Sequence, residues 1–237
     1  MQYFELTCKA YLKRDLNFKD IFDVISKYIS FSISKDGGIL QNFHKSSSLK
    51  YYTFSGFYPI QKDKIYKKNQ IYEFKIRSLD KDFITLLQNK LKENINNPNM
   101  AVVDIDFKKI NSFFIKELYS ITPVIVTISN KRYWTFHESG DILSLIKQLH
   151  NNLEKKYNSF FNEKISSNEN FIEVIEIKNQ VPQTIEFSKN GKKIKLFGNK
   201  FKIIPNTDEI SQKLAFIALG AGLGEKGSFG GGFCIAE

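Results

Sequence analysis

Alternating apolar and polar positions predict a strand over Gln2 to Leu12. Asn17 and Asp20 then open a segment with Phe18, Ile21, Phe22, Ile25, Tyr28 and Ile29 at helical spacing. Asp36-Gly37-Gly38 breaks that helix, and a polar loop from Gln41 to Ser48 follows. Tyr51 to Tyr58, rich in aromatics and Thr, and the alternating Ile71 to Arg77 predict two more strands. Lys81 to Asn96 carries Phe83, Leu86, Leu87, Leu91 and Ile95 on one side of a helix, and Ala101 to Phe107 alternates again.

The order strand, helix, strand, strand, helix, strand is the split βαβ arrangement of a ferredoxin-like domain. It recurs downstream. Val124 to Phe136 predicts a strand, Asp141 to Phe161 a long helix burying Ile142, Leu145, Ile146, Leu149 and Leu153, and Phe171 to Ile177 another strand. A hairpin around Gly198-Asn199, a helix over Asp208 to Leu219 and a short strand over Phe233 to Ala236 complete the set. The expected fold is therefore α+β, two tandem ferredoxin-like (βαββαβ) domains spanning residues 1–119 and 120–237. No sequence similarity relates the halves, so the repeat rests on element order alone.

Composition narrows the function. With 42% hydrophobic and 25% charged residues the chain resembles an ordinary soluble domain, and disorder is excluded. Thirty-five Lys and Arg against 25 Asp and Glu give +10, which points to a polyanionic partner or to a lysine-rich surface of no special purpose. Cys8 and Cys234 stand far apart without CxxC spacing, so neither a disulfide framework nor a zinc site is expected, and no cofactor is called for. No apolar run approaches the ~18 residues of a membrane span, and Glu5 and Lys9 interrupt the region a signal peptide would need, so a cytoplasmic protein is expected.

The C-terminus carries the most distinctive pattern. Gly222-Leu223-Gly224-Glu225-Lys226-Gly227 satisfies GxGxxG, but it follows a helix, and only ten residues remain for a crossover that a dinucleotide fold requires. Gly222, Gly224, Gly227, Gly230, Gly231 and Gly232 instead allow close backbone approach with N–H groups aimed at phosphate, Lys226 adding charge; tight packing or a flexible tail is the alternative.

The spacing Gly222-x-Gly224, five residues, Gly230-x-Gly232 resembles the glycine-rich motif of the CRISPR-associated endoribonucleases of the repeat-associated (RAMP) superfamily. Ile121-Thr122-Pro123-Val124-Ile125-Val126 resembles the Ser/Thr-Pro strand opening their second domain, and Asn152-Leu153 to Lys156-Tyr157 a segment of the following helix. Gly231 stands where that family has a bulkier residue. The resemblance implies tandem ferredoxin-like domains, CRISPR repeat RNA as partner, and metal-independent cleavage within the repeat. It leaves open both association with other proteins of a CRISPR effector complex and the choice between monomer and homodimer.

Metal-independent RNA cleavage needs a base for the 2′-OH, an acid for the departing 5′ oxygen and positive charge at the phosphorane. A histidine, with a reference pKa of about 6.5, suits either proton transfer. His150 falls beside Ile146 and Leu153 as a core-edge residue, and His137 ends a strand beside Glu138. His44 lies in the polar loop, six residues before Lys50. In the family it resembles, a loop histidine, a following lysine and a tyrosine late in the preceding helix form the site, which implies His44, Lys50 and Tyr28. Tyr28 also fits the core, and Lys45 could replace Lys50. Lys193, Lys195, Lys200 and Lys202 flank Gly198-Asn199, where alternation puts all four on one face, either for RNA or as a solvated edge. Two further readings remain: a non-catalytic RNA-binding subunit of such a complex, and a general single-strand RNA-binding module, for which the RNP signature is not evident.

Overall fold

The computed structural model describes residues 1–34, 49–128, 132–165, 169–189 and 191–237, a mixed α+β protein. The first sheet contains β1 (Gln2–Leu12), β3 (Tyr52–Phe54), β5 (Ile71–Ser78) and β6 (Met100–Asn111), while β2 (Leu16–Asn17) and β4 (Ile65–Tyr66) pair as a short separate ribbon. Phe4, Leu6, Cys8, Ala10 and Leu12 project from one face of β1, as strand periodicity demands. They meet Ile25 and Ile29 of α1 (Ile21–Ser34) and Leu87 and Leu91 of α2 (Lys81–Glu93) in one core.

The second sheet contains β7 (Leu118–Ser120), β8 (Ile172–Ile177), β11 (Phe201–Pro205) and β12 (Cys234–Ala236), covered by α3 (Ile142–Phe161) and α4 (Glu209–Ala221). Numbered within its own sheet, each set of four runs fourth, first, third, second, with every neighbouring pair antiparallel. The ribbon of β9 (Gln183–Lys189) and β10 (Lys192–Gly198) crosses back, placing Ile185 and Leu196 in the first core. Among the described residues, no helix is long and apolar enough to cross a membrane.

Two expected elements differ. The strand expected over Val124 to Phe136 is replaced by isolated bridges from Val124 to Asn199, Ile125 to Glu225 and Thr127 to Tyr133. Pro123 offers no amide, and the Val124 N–H is taken by the Asn199 carbonyl. The second sheet begins instead at Leu118. Nor do the flanks of Gly198-Asn199 form a hairpin: β10 pairs with β9 through the turn at Gly191, whereas β11 pairs with β7 and β8. A Cβ on Gly198 would lie 2.3 Å from the Val124 oxygen, and Asn199 is fully buried, donating to the Asn179 carbonyl and accepting from the Phe136 amide. This dipeptide is a buried crossing between the sheets.

The other face of β1 carries Tyr3 and Glu5, both buried. Arg77, opposite Glu5 in register, donates from Nε to Glu5 Oε2 at 2.6 Å and from Nη1 to the Cys234 carbonyl at 2.6 Å. Its guanidinium also lies 4.4 Å from the Phe233 ring centroid. One residue of the first sheet thereby holds the last strand of the second. Burial pushes the Glu5 carboxyl up, but the Arg77 charge and hydrogen bonds from Lys75 and Arg77 outweigh it, leaving Glu5 below the ordinary carboxylate value.

After α4 the chain turns through Gly222, Gly224, Gly230 and Gly232, with φ of 82°, 74°, 84° and 65°. Leu223 N–H donates to the Gly232 carbonyl at 2.8 Å and Gly232 N–H to the Pro123 carbonyl at 2.9 Å. A Cβ on Gly232 would fall 1.9 Å from the Leu223 oxygen, so both the dihedral and the space require glycine.

Two outcomes follow for stability. Gly232→Ala should cost on the order of 3 kcal/mol or more in urea unfolding, combining overpacking with the left-handed backbone, whereas Gly191→Ala, at φ 74° with nothing within 4 Å of the new Cβ, should cost about 1 kcal/mol. Because the Glu5 pKa is depressed on folding, its stabilisation is fully present above its unfolded value of about 4.3 and is lost as pH falls through the lower folded value. Glu5→Gln, which leaves Arg77 buried without its counter-charge, should cost about 3–5 kcal/mol at pH 7, and the gap to the unmodified protein should shrink below pH 4 in a pH series of urea melts.

Candidate functional site

Lys156 falls on the buried stripe of α3 with Leu149 and Leu153, and the residue is only 4% exposed. Nζ donates to the Gly222 carbonyl at 2.6 Å and the Gly224 carbonyl at 2.7 Å, with Ala221 O at 3.4 Å. A cation there meets the negative end of α4, whose last carbonyls lack helical partners. Burial nevertheless pushes the Lys156 pKa down to about 7. Glu225 is held in turn by Thr127, whose hydroxyl and amide both donate to its carboxylate.

These contacts fix what the glycine segment presents outward. The amides of Gly222, Gly230 and Gly232 donate to Ala218, Gly227 and Pro123 carbonyls, so they are not aimed at a phosphate. Gly222, Gly224, Gly230 and Gly232 are buried, while Lys226 is exposed and Ser228 and Phe229 are half-buried. The short turn at Gly227–Phe229 leans on the first sheet's helix, where Ser26 Oγ donates to the Ser228 carbonyl at 3.1 Å.

A cleft of about 350 Å³ opens at that junction. Asp23, Ser26, Lys27 and Ser30 line it from one face of α1, as i, i+3, i+4, i+7 spacing allows. Lys50 and Tyr52 enter from the first sheet's side, Phe187 to Lys189 from β9, and Ser228 and Phe229 from the glycine segment. Asp23 ties two walls together: Oδ1 accepts from the Ser188 amide at 3.2 Å and Oδ2 pairs with Lys27 at 2.6 Å. Partial burial pushes the Lys50 pKa down.

Of the expected catalytic residues, Lys50 lines this cleft, and His44, with Lys45, lies outside the described residues. Tyr28 does not join them. It is fully buried on the opposite face of α1, where its hydroxyl donates to the Leu91 carbonyl at 2.8 Å and accepts from the Val102 amide at 3.1 Å. These backbone partners make Tyr28 a core residue. His150 is buried, its Nδ1 accepting from the Phe171 amide, and His137 is exposed.

The four expected lysines do not share a face. Lys195 pairs with Glu186 at 3.3 Å, Lys202 pairs with Glu117 at 2.7 Å beside the Tyr119 ring, and Lys193 is exposed. Lys200 instead borders a groove between the sheets with Lys75, Tyr58 and Ile60, its pKa lowered by burial. Among the described residues, no group of three or more His, Cys, Asp or Glu side chains is placed to hold a metal ion.

Comparison with known proteins agrees with this architecture. Residues 105–235 match the family model described as CRISPR associated protein Cas6, C-terminal. The chain is 23% identical over 232 residues to the CRISPR-associated endoribonuclease Cas6 2 of Methanocaldococcus jannaschii, covering 93% of this chain and 94% of that protein. A solved CRISPR associated protein Cas6 superposes with a TM-score of 0.70 at 20% identity, over 99% of both chains. A RAMP protein described as binding different RNA substrates superposes at 0.66, also at 20% identity and over 99% of both chains. The matched segment is more than half of the chain and contains the whole glycine segment, and on it the protein belongs to the Cas6 family of CRISPR-associated proteins.

Proposed function

We propose that this protein is a metal-independent endoribonuclease that cuts CRISPR repeat RNA within the repeat, built as two ferredoxin-like domains over residues 1–119 and 120–237. The strand order common to both sheets supports the architecture. The observation that carries the activity is the cleft itself, where Lys50, six residues after His44 in the sequence, stands with Lys27 and Lys189 among serine hydroxyls. Such a cleft suits a phosphodiester and supplies charge where it develops in a phosphorane.

In this reading the 2′-OH attacks its own phosphate, forming the cyclic P–O bond and breaking the bond to the 5′ oxygen. His44 carries one of the two proton transfers, and Lys50 stabilises the pentacoordinate anion. The RNA runs over the exposed side chains of Lys226 and Lys193 and past the half-buried Lys200. Tyr28, held in the core, takes no part. Family membership and the net charge of +10 support an RNA partner. The burial of Tyr28 is the one observation that favours the second reading, a non-catalytic RNA-binding subunit of a CRISPR complex.

Incubating the protein with repeat RNA in excess EDTA decides between them. Cleavage leaving a 2′,3′-cyclic phosphate and a 5′-hydroxyl is expected, and RNA bound but left whole establishes the second reading. His44→Ala should lower the single-turnover rate by about 10²- to 10⁴-fold with little change in RNA affinity, while His137→Ala and His150→Ala should leave that rate within a few-fold. Cleavage at the same phosphate after its 2′-OH is replaced by hydrogen would overturn the mechanism.

A further inference from the structure

Two aromatic residues of the cleft have no task in the chemistry just described. Phe187 arrives on β9 and Phe229 closes the turn after the glycine segment; their ring centroids lie 4.4 Å apart at 29°, a stacked pair. Neighbouring aromatics that serve only to pack are swallowed: Phe22 is 7% exposed and Phe54 is fully buried. Phe187 and Phe229 lean on the first core yet remain half-buried, and both line the open cleft.

Their backbones are fixed from several sides. Phe229 N–H donates to the Lys226 carbonyl at 2.9 Å, the preceding Ser228 carbonyl accepts from Ser26, and Ser188, next to Phe187, donates its amide to Asp23. A platform held this firmly loses little entropy when a flat ligand settles on it. Exposed Lys27 and Lys189 line the same cleft, within which Lys50 is also found. A π face beside cations is what one nucleotide of single-stranded RNA requires, its base stacked and its phosphate near positive charge.

We infer that the Phe187–Phe229 pair is a base-stacking subsite that takes one unpaired nucleotide of the RNA in the cleft. This rests on the proposed RNA-cleaving function and adds a requirement to it: at one position of the repeat the base must be free of a pairing partner. Stacking tolerates any base, so the subsite selects strandedness more than sequence.

The test is a cycle between protein and RNA. Repeat RNA, blocked at the cut by a single 2′-deoxyribose, receives abasic ribose at one position at a time, and its dissociation constant is measured with the unmodified protein and with Phe229→Ala. One abasic position should weaken binding to the unmodified protein by roughly 5- to 150-fold, the range for loss of one stacked base. In Phe229→Ala that single penalty should vanish while penalties elsewhere persist, and Phe229→Trp should restore it. Penalties that multiply with the Phe229→Ala loss at every position overturn the subsite, because a merely structural ring cannot distinguish one nucleotide from another. Should Phe229→Ala undock the β9–β10 ribbon, Phe229→Leu keeps apolar packing without the π face, and its cycle has the same two outcomes. Unmodified protein that cuts the RNA but shows independent penalties removes the subsite alone. Protein that binds no repeat RNA overturns the functional proposal and the subsite with it.

Discussion

The structure depends on one close approach of backbone to backbone, at Gly232 against Leu223, where the chain passes itself with no room for a side chain. That crossing aligns the end of α4, the turn bearing Phe229 and the final strand in a single run of residues. Through Gly232 N–H it also ties that run to the Pro123 carbonyl. The first sheet, the second sheet and the cleft all meet this segment. The left-handed φ values at Gly222, Gly224, Gly230 and Gly232 are thus a constraint on assembly before they are anything else.

Charge is used in two separate ways. Arg77 and Lys156 are basic groups held inside the protein, one by Glu5 and the Cys234 carbonyl, the other by the carbonyls of the glycine segment. A buried cation with fixed acceptors constrains geometry more than it stabilises, since its desolvation offsets much of the attraction. The remaining excess of positive charge lies mainly on surface lysines, of which exposed Lys195 and half-buried Lys202 are engaged by carboxylates. A polyanion would therefore meet scattered clusters of charge, with Lys27, Lys50 and Lys189 gathered at the cleft.

How far the sequence discloses this depends on the range of the interactions. The alternation of β1, the helical faces of α1 and α2 and the position of α3 are local patterns, and they appear in the structure within a few residues of where the sequence puts them. The Gly198-Asn199 reading failed because a two-residue turn and a buried crossing use the same residues, and alternation on either side continues through both. Tyr28 was ambiguous for a similar reason: helical spacing says that Ile21, Ile25 and Tyr28 share a face, and burial of that face was the competing outcome. Lys156 had a signal, since it falls on the apolar stripe of its helix, where a solvated lysine does not belong. Phe187, Phe229 and Asp23 had none, because the cleft is assembled from segments separated by most of the chain.

The grip of Arg77 on the Cys234 carbonyl spans 157 residues, and this sets an order in time. At synthesis rates of about 5–20 residues per second, Arg77 waits roughly 8 to 30 s for its final acceptor. During that interval Arg77 has Glu5 but not the strand that covers it, and the ribbon of β9 and β10 that fills the first core is also still to come. The first half of the chain therefore emerges with its secondary structure specified and its packing incomplete. Full cooperativity arrives only when β12 has been made and docks on Arg77.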